Sequence, residues 1–154
     1  MKRVRSCVFF ACLFVAFSVN AQKGNTYKTG VGIKVYPTGV TLRHFVKPES
    51  QAVEFVGYFW RKGTRITGLY EFFFDLGKSE NFKWYIGPGA HVGLYSDKYY
   101  GGGTAIGIDG VLGLDYKIKN APLDISLDWQ PSIEFGDFEG FASSWGGVGV
   151  RFTF

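Results

Sequence analysis

Few residues of this chain have the type and spacing that catalysis or metal binding needs. The chain has two histidines, His44 and His91, and neither stands in a spacing typical of a zinc site. His91 lies in a glycine-rich segment, where it could serve as a general base. A hydrogen-bonding role is the simpler interpretation of an isolated histidine in such a place. We therefore predict no catalytic residue, no metal site and no cofactor.

Two other patterns suggest ligand binding, and each has a simpler explanation. The run of three glycines at 101–103 does not join a strand to a helix, so it does not indicate a phosphate loop. Three acidic residues fall in the two longest predicted connections and could bind a divalent cation, although a solvated acidic loop explains them equally simply: Asp97, Asp137 and Glu139.

The first 21 residues are typical of an export signal. A basic start precedes an apolar run over 7–19, which is too short to span a bilayer as a helix. Val19 and Ala21 are small residues at the positions that a signal peptidase reads, so we expect cleavage before Gln22. The alternative interpretation is a short hydrophobic anchor or a core helix. On the favoured interpretation, residues 22–154 form a single domain.

Removing the predicted signal changes what the composition implies. Three of the 17 basic residues and none of the 13 acidic residues leave with it, so the net charge falls from +4 to +1. The basic balance is therefore no indication of a nucleic-acid partner. Both cysteines, Cys7 and Cys12, leave as well, so no disulfide or thiol site is expected. All 22 glycines remain, and they disfavour helices.

Alternation of apolar and polar residues is the dominant pattern of the remaining chain. Over 123–135 every odd-numbered residue is apolar and every even-numbered residue is polar or acidic. Similar segments occur at 28–36, 39–47, 52–61, 65–76, 83–94, 104–118 and 147–154, separated by turn residues, with longer connections around 95–103 and 136–142. Eight such segments predict an all-β fold, an eight-stranded antiparallel up-and-down β-barrel with both termini at one end.

The distribution of charge favours a transmembrane barrel whose apolar face meets lipid. The apolar face has almost no charge in the last five segments, and aromatic residues concentrate near strand ends. The other face combines glycines with both signs of charge. An eight-stranded barrel has room inside only for its own side chains, so we expect these charges to pair into a plug that closes the lumen. The predicted lumen charge network comprises Arg65, Glu71, Asp75, Lys83, His91, Asp109, Asp115, Lys117, Asp124, Asp128, Glu134 and Arg151, with Lys34, Arg43 and Glu54 on the same face.

Several motifs resemble those of the small outer-membrane β-barrel proteins common in Bacteroidota. The matching stretches are 36–41, 69–71, 87–93, 110–117, 120–131 and 146–154, which together extend over nearly the whole chain after the predicted signal. The ending, with Phe152 and a terminal Phe154, is similar to the signal that the barrel-assembly machinery reads. The resemblance implies an outer-membrane barrel and a bacterial outer-membrane location. It implies no established activity and supplies no catalytic motif.

Three function classes follow. The favoured one is a structural or interaction barrel of the outer membrane, not a porin, whose partners are membrane lipid and, during biogenesis, the assembly machinery. A lipid-modifying outer-membrane enzyme is the second, although the His-x-Ser pattern of lipid A deacylases is missing: His44 and His91 are each followed by a valine or a glycine at the second position. A secreted soluble barrel with a small apolar ligand is the third.

Overall fold

The computed structural model describes residues 26–61, 63–96, 102–137 and 139–154. The predicted signal peptide, 1–21, lies outside these ranges, and so does Asp97 of the connection after residue 96. Within the described ranges, no helix has the length and apolar character required to cross a membrane.

Ten β-strand segments make up the fold. Their bounds are β1 Thr29–Val35, β2 Gly39–Lys47, β3 Gln51–Trp60, β4 Gly63–Leu76, β5 Ser79–Tyr95, β6 Gly103–Lys117, β7 Leu123–Trp129, β8 Ser132–Gly136, β9 Gly140–Ala142 and β10 Gly146–Thr153. Each pairs antiparallel with its neighbours, β5 also pairs with β6, and β10 pairs with β1. The sheet therefore closes into an eight-stranded antiparallel β-barrel, which confirms the predicted fold class.

The seventh barrel strand is interrupted, contrary to the unbroken strand predicted over 123–135. β7 and β8 both pair with β6 in one continuous register, on either side of Gln130-Pro131. Pro131 has no N–H to donate to a neighbouring strand, although its carbonyl accepts from the Gly110 N–H at 2.8 Å. The N–H of the preceding residue, Gln130, donates to the Trp145 carbonyl of the last barrel strand, at 2.9 Å.

The eighth barrel strand consists of β9 and β10, joined by an irregular stretch over 143–145. β9 pairs with β8, and β10 pairs with β7 in a register that differs by one residue. The predicted long connection at 136–142 is thus wrong in part, because 140–142 form a strand and only 137–139 connect β8 to β9. The connection after β5, over 96–102, remains longer than the others.

Hydrogen-bond registers fix the shear of the barrel. Starting from Ser126 and following paired residues once around the barrel leads back to Gly136, ten residues further along the same barrel strand. With a rise of about 3.3 Å per residue and about 4.8 Å between strands, that shear tilts eight strands by about 40° from the barrel axis. The strands therefore rise about 2.5 Å along the axis per residue.

The two ends of the barrel differ in what they carry. We call the end with the connections β1–β2, β3–β4, β5–β6 and β8–β9 the loop end. The other end, the terminal end, carries the start of β1 and the last residue, Phe154, whose N–H donates to the Thr29 carbonyl at 2.9 Å. Both termini of the described barrel therefore lie at one end, as predicted.

Polarity is inverted relative to a water-soluble core. Several charged residues are completely buried inside the barrel, among them Lys34, Arg43, Glu54 and Arg151. Large apolar side chains are instead exposed on the outside, among them Ile66, Ile106, Ile108, Leu127 and Ile133.

Candidate functional site

Arg43 is the centre of the largest ionic cluster in the lumen. Its guanidinium contacts four carboxyl groups. Nη2 lies 3.0 Å from Glu54 Oε2 and Nε lies 2.8 Å from Glu71 Oε2, while Nη1 lies 2.5 Å from Asp115 Oδ1 and 3.8 Å from Asp124 Oδ2. The alternation of β2 places Arg43 inward, and the neighbouring strands bring the acids to the same level. A planar guanidinium with five donors suits such a multiple contact.

Arg151 and Lys34 extend this cluster. Arg151 Nη2 lies 2.6 Å from Glu54 Oε1, and its Nη1 lies 3.0 Å from Asp124 Oδ2. Lys34 Nζ is 2.7 Å from Asp128 Oδ2. The result, named here the central cluster, comprises Lys34, Arg43, Glu54, Glu71, Asp115, Asp124, Asp128 and Arg151.

Neutral hydrogen-bonding side chains complete the central cluster. The Tyr85 hydroxyl donates to Asp128 Oδ2 at 2.7 Å, and the Gln130 amide donates to Asp128 Oδ1 at 2.8 Å. Tyr58 in turn donates to Gln130 at 2.9 Å. The central cluster thus contains three cations and five carboxyl groups, and each cation contacts more than one of these acids. The cations therefore join the acids of different strands to one another.

An apolar layer closes the lumen at the terminal end. Tyr27, Phe45, Phe73 and Tyr85 form a chain of ring contacts with centroid distances of 5.1, 5.0 and 4.9 Å. Arg43 lies over the last two rings, at 5.1 and 4.8 Å. Burial, with a smaller contribution from neighbouring acids, raises the pKa of the Tyr27 hydroxyl well above its ordinary value.

The sequence-based prediction of a plug of paired charges did not include this aromatic layer. The signal was present in the run Phe72-Phe73-Phe74, because the middle residue of three consecutive strand residues must face the opposite side from the other two. Phe73 therefore points inward while its neighbours are exposed.

A second ionic group, the mouth cluster, lies towards the loop end and comprises Arg65, His91, Asp109 and Glu134. Arg65 forms an ion pair with Asp109 and a second one with Glu134, at 3.1 Å. His91 Nδ1 lies 2.8 Å from Asp109 Oδ2, and Nε2 lies 3.7 Å from Glu134 Oε1. His91 is thus held between two carboxylates.

Ten of the 12 residues predicted for the lumen network are buried in the barrel, and Asp75 and Lys83 are not part of either cluster. The Lys83 ammonium lies 2.6 Å from Asp75 and 3.6 Å from Glu49, at the terminal end, and the Asp75 side chain is 67% exposed. Both residues occupy strand positions whose side chains point towards the inside of the barrel, as the alternation predicts. They lie two residues beyond the paired Phe73 and Tyr85 of the aromatic layer, towards the terminal end. Their placement in the lumen network was therefore wrong.

Lys117 is buried, but its contacts differ from those of the other cations. Its ammonium donates to the carbonyl oxygens of Ala121 and Ile118, at 2.6 and 3.4 Å. It therefore ties the end of β6 to the connection over 118–122 instead of forming an ion pair with a carboxylate.

The remaining residues with chemical potential are dispersed. His44 faces outward, with Nδ1 2.9 Å from the Thr29 hydroxyl. The Asp137 carboxylate accepts from the Thr104 N–H at 3.0 Å. Among the described residues, no group of three or more histidine, cysteine or acidic side chains has the arrangement of a metal site.

A cavity of about 520 Å³ opens at the loop end, above the mouth cluster. Aromatic side chains form its walls, and Glu134 is its acidic residue. Sequence reasoning did not identify it, because its walls come from four separate parts of the chain. The lining residues on which the argument below depends are Tyr36, Trp60, Tyr95, Glu134 and Trp145.

Comparison with known protein families, with curated proteins and with solved structures finds no match for this chain.

Proposed function

We propose that this protein is an outer-membrane β-barrel of structural or interaction type, with lipid around its exterior and a closed lumen. The observation that carries the proposal is the inverted polarity of the barrel: completely buried Lys34, Arg43, Glu54, Glu71 and Arg151 inside, and exposed apolar side chains outside. Such a surface is costly in water and favourable in a lipid bilayer.

The height of the uncharged exterior supports the same placement. On consecutive barrel strands, the outward-facing positions over 66–76, 84–94, 106–116 and 123–135 carry no acidic or basic residue. Ten residues at a tilt of about 40° rise about 25 Å, which is the height of the apolar band on barrels of this kind.

The filled interior argues for a non-porin role. Side chains from every barrel strand meet in the lumen, and Arg43, Arg65 and Arg151 are completely buried. The aromatic layer closes the terminal end below them. A lumen closed in this way leaves the loop end as the surface through which a partner is contacted.

The ends of the chain fit the export and assembly pathway of such a barrel. We propose that residues 1–21 are a cleaved signal and that Phe152 and Phe154 belong to the signal read by the assembly machinery. β10, which contains Phe152, pairs with β1 and closes the barrel.

Heat-modifiability of the protein in isolated outer membranes tests the proposal. The expected result is a membrane-bound protein that migrates as a compact form on a denaturing gel when unboiled and as an extended form after boiling. Extraction into buffer without detergent, with identical mobility before and after boiling, would refute membrane insertion.

Planar-bilayer recordings test the closed lumen separately. We expect the purified barrel to give no steady open channel, because ion pairs and aromatic rings occupy its interior. A stable ohmic conductance would contradict the non-porin assignment while leaving the membrane placement intact.

A further inference from the structure

The cavity at the loop end has walls that stand at steep angles to one another. The Trp60 ring lies 5.2 Å from the Trp145 ring at an interplanar angle of 68°, and 5.8 Å from the Tyr95 ring at 73°. These angles form a concave aromatic corner, not a flat platform. Glu134 lines the same cavity, and both of its ion-pair contacts, to Arg65 and His91, use Oε1.

The irregular stretch of the last barrel strand holds Trp145 in place. Trp145 accepts a backbone hydrogen bond from Gln130 and its ring contacts Tyr58 at 5.2 Å. Gly147 has φ +126°, and a Cβ there would overlap the Val35 carbonyl and press on the Tyr36 carbonyl. A residue with a side chain would therefore push β10 away from β1 and open this wall.

Tyr36 adds a strained aromatic residue to the rim. Its φ is +64°, although it is not glycine, and its side chain is 88% exposed. A bulky residue in this region of φ is strained, and such strain clusters at active sites and ligand-binding positions. The strained backbone of Tyr36 places its aromatic ring among the residues that line the cavity.

Charge at the loop end favours a cationic ligand. Of the described residues that line the cavity, Glu134 is the charged one, and the others are aromatic or uncharged. Arg65 offers little to an anion, because its nitrogens are engaged by Thr67, Asp109, Ser132 and Glu134. The Arg65 guanidinium is also engaged by the Trp145 ring, 4.2 Å from its centroid, in a cation–π contact.

From these observations we propose that the cavity is a binding site for a small organic ammonium ion, held between aromatic walls and the Glu134 carboxylate. Inclined aromatic rings with a nearby acid are the arrangement that recognises quaternary ammonium groups. The volume of about 520 Å³ is within the range of small-molecule sites. The proposal rests on residues of the barrel mouth and does not depend on which membrane surrounds the barrel.

Tryptophan fluorescence and calorimetry on the full-length protein in detergent test it, with choline as the probe. Its neutral isostere, 3,3-dimethylbutan-1-ol, serves as the matched ligand. We expect saturable choline binding and at least about tenfold weaker binding of the alcohol, because both the cation–π and the carboxylate contacts need the positive charge. Equal binding of the two compounds, or no saturable choline binding, would overturn the proposal.

Two variants assign the binding to the site. Glu134→Gln and Trp60→Leu should each weaken choline binding about tenfold or more, whereas Glu49→Gln, at the terminal end, should leave it unchanged. Heat-modifiability of each variant shows whether its barrel is folded. If Glu134→Gln does not fold, the Trp60→Leu variant alone decides whether choline binds in this cavity. Binding of methyl glucoside with unchanged affinity in Glu134→Gln, and none of choline, would assign the cavity to a sugar instead.

Discussion

At the scale of single residues, the cations of the central cluster are its critical members, because each of them contacts more than one buried carboxyl group. Arg43→Met should lower the free energy of unfolding by about 3–5 kcal/mol, because it leaves Glu54, Glu71 and Asp115 buried without their shared partner. Glu71→Gln should cost no more than about 1.5 kcal/mol, since the amide oxygen still accepts from Arg43 and Arg43 keeps its contacts with Glu54 and Asp115. Denaturant unfolding in lipid vesicles measures both.

Lys83→Met is the control for this pair of variants. Lys83 forms ion pairs with Asp75 and Glu49 at the exposed terminal end, where ion pairs contribute at most about 1 kcal/mol. Equal losses for Lys83→Met and Arg43→Met would contradict the distinction between the buried cluster and the rim. The alternation of polarity correctly places Arg43, Asp75 and Lys83 on the inner face of the barrel. It does not indicate how far along the barrel axis a residue lies. The sequence therefore does not distinguish Asp75 and Lys83, at the terminal end, from residues of the lumen.

At the scale of the strand, glycines on β6 create the space that lumen side chains fill. A Cβ on Gly113 would overlap the Tyr85 ring, whereas a Cβ on Gly110 would meet Pro131 at an ordinary 3.7 Å. Gly113→Ala should therefore displace Tyr85, weaken its hydrogen bond to Asp128 and cost about 1–3 kcal/mol. Gly110→Ala, the matched change on the same strand, should be close to neutral in the same unfolding experiment. A similar loss in both variants would contradict this packing.

Strand positions were predictable because polarity alternates with period two, and the bounds of β2, β4 and β6 follow the prediction closely. The interruption at Gln130-Pro131 and the irregular stretch at 143–145 were not predicted. They arise from a missing donor on Pro131 and from a register change between β9 and β10. The interruption and the irregular stretch both depend on which strand pairs with the segment. The alternation of polarity within one segment does not specify the strand with which that segment pairs.

At the scale of the whole molecule, the proposed lipid exterior predicts a depth-dependent penalty for added charge. Leu112, on the outside of β6, lies near the middle of the uncharged band over 106–116. Leu112→Arg should cost about 2–4 kcal/mol in lipid vesicles, whereas Thr104→Arg, at the loop end of the same strand, should cost about 0–1 kcal/mol. A Leu112→Arg variant as stable as the parent protein would argue for water outside the barrel.

The barrel architecture was predictable from the number and parity of the alternating segments, whereas the loop-end cavity was not. Its walls come from the β1–β2 connection, from the ends of β3 and β5 and from the stretch before β10, and their meeting depends on the shear of the closed barrel. Sequence spacing contains no direct signal for such a meeting.

Electron paramagnetic resonance of spin labels along the exterior of β6 would decide the lipid-facing placement. Residues 22–154 contain no cysteine, so single cysteines can be introduced at Ile106, Ile108, Leu112 and Leu114 and labelled in protein reconstituted into vesicles. We expect collisions with dissolved oxygen to exceed those with a water-soluble nickel complex at all four sites, by most at Leu112. Free access of the nickel complex to these sites would contradict a bilayer around the barrel.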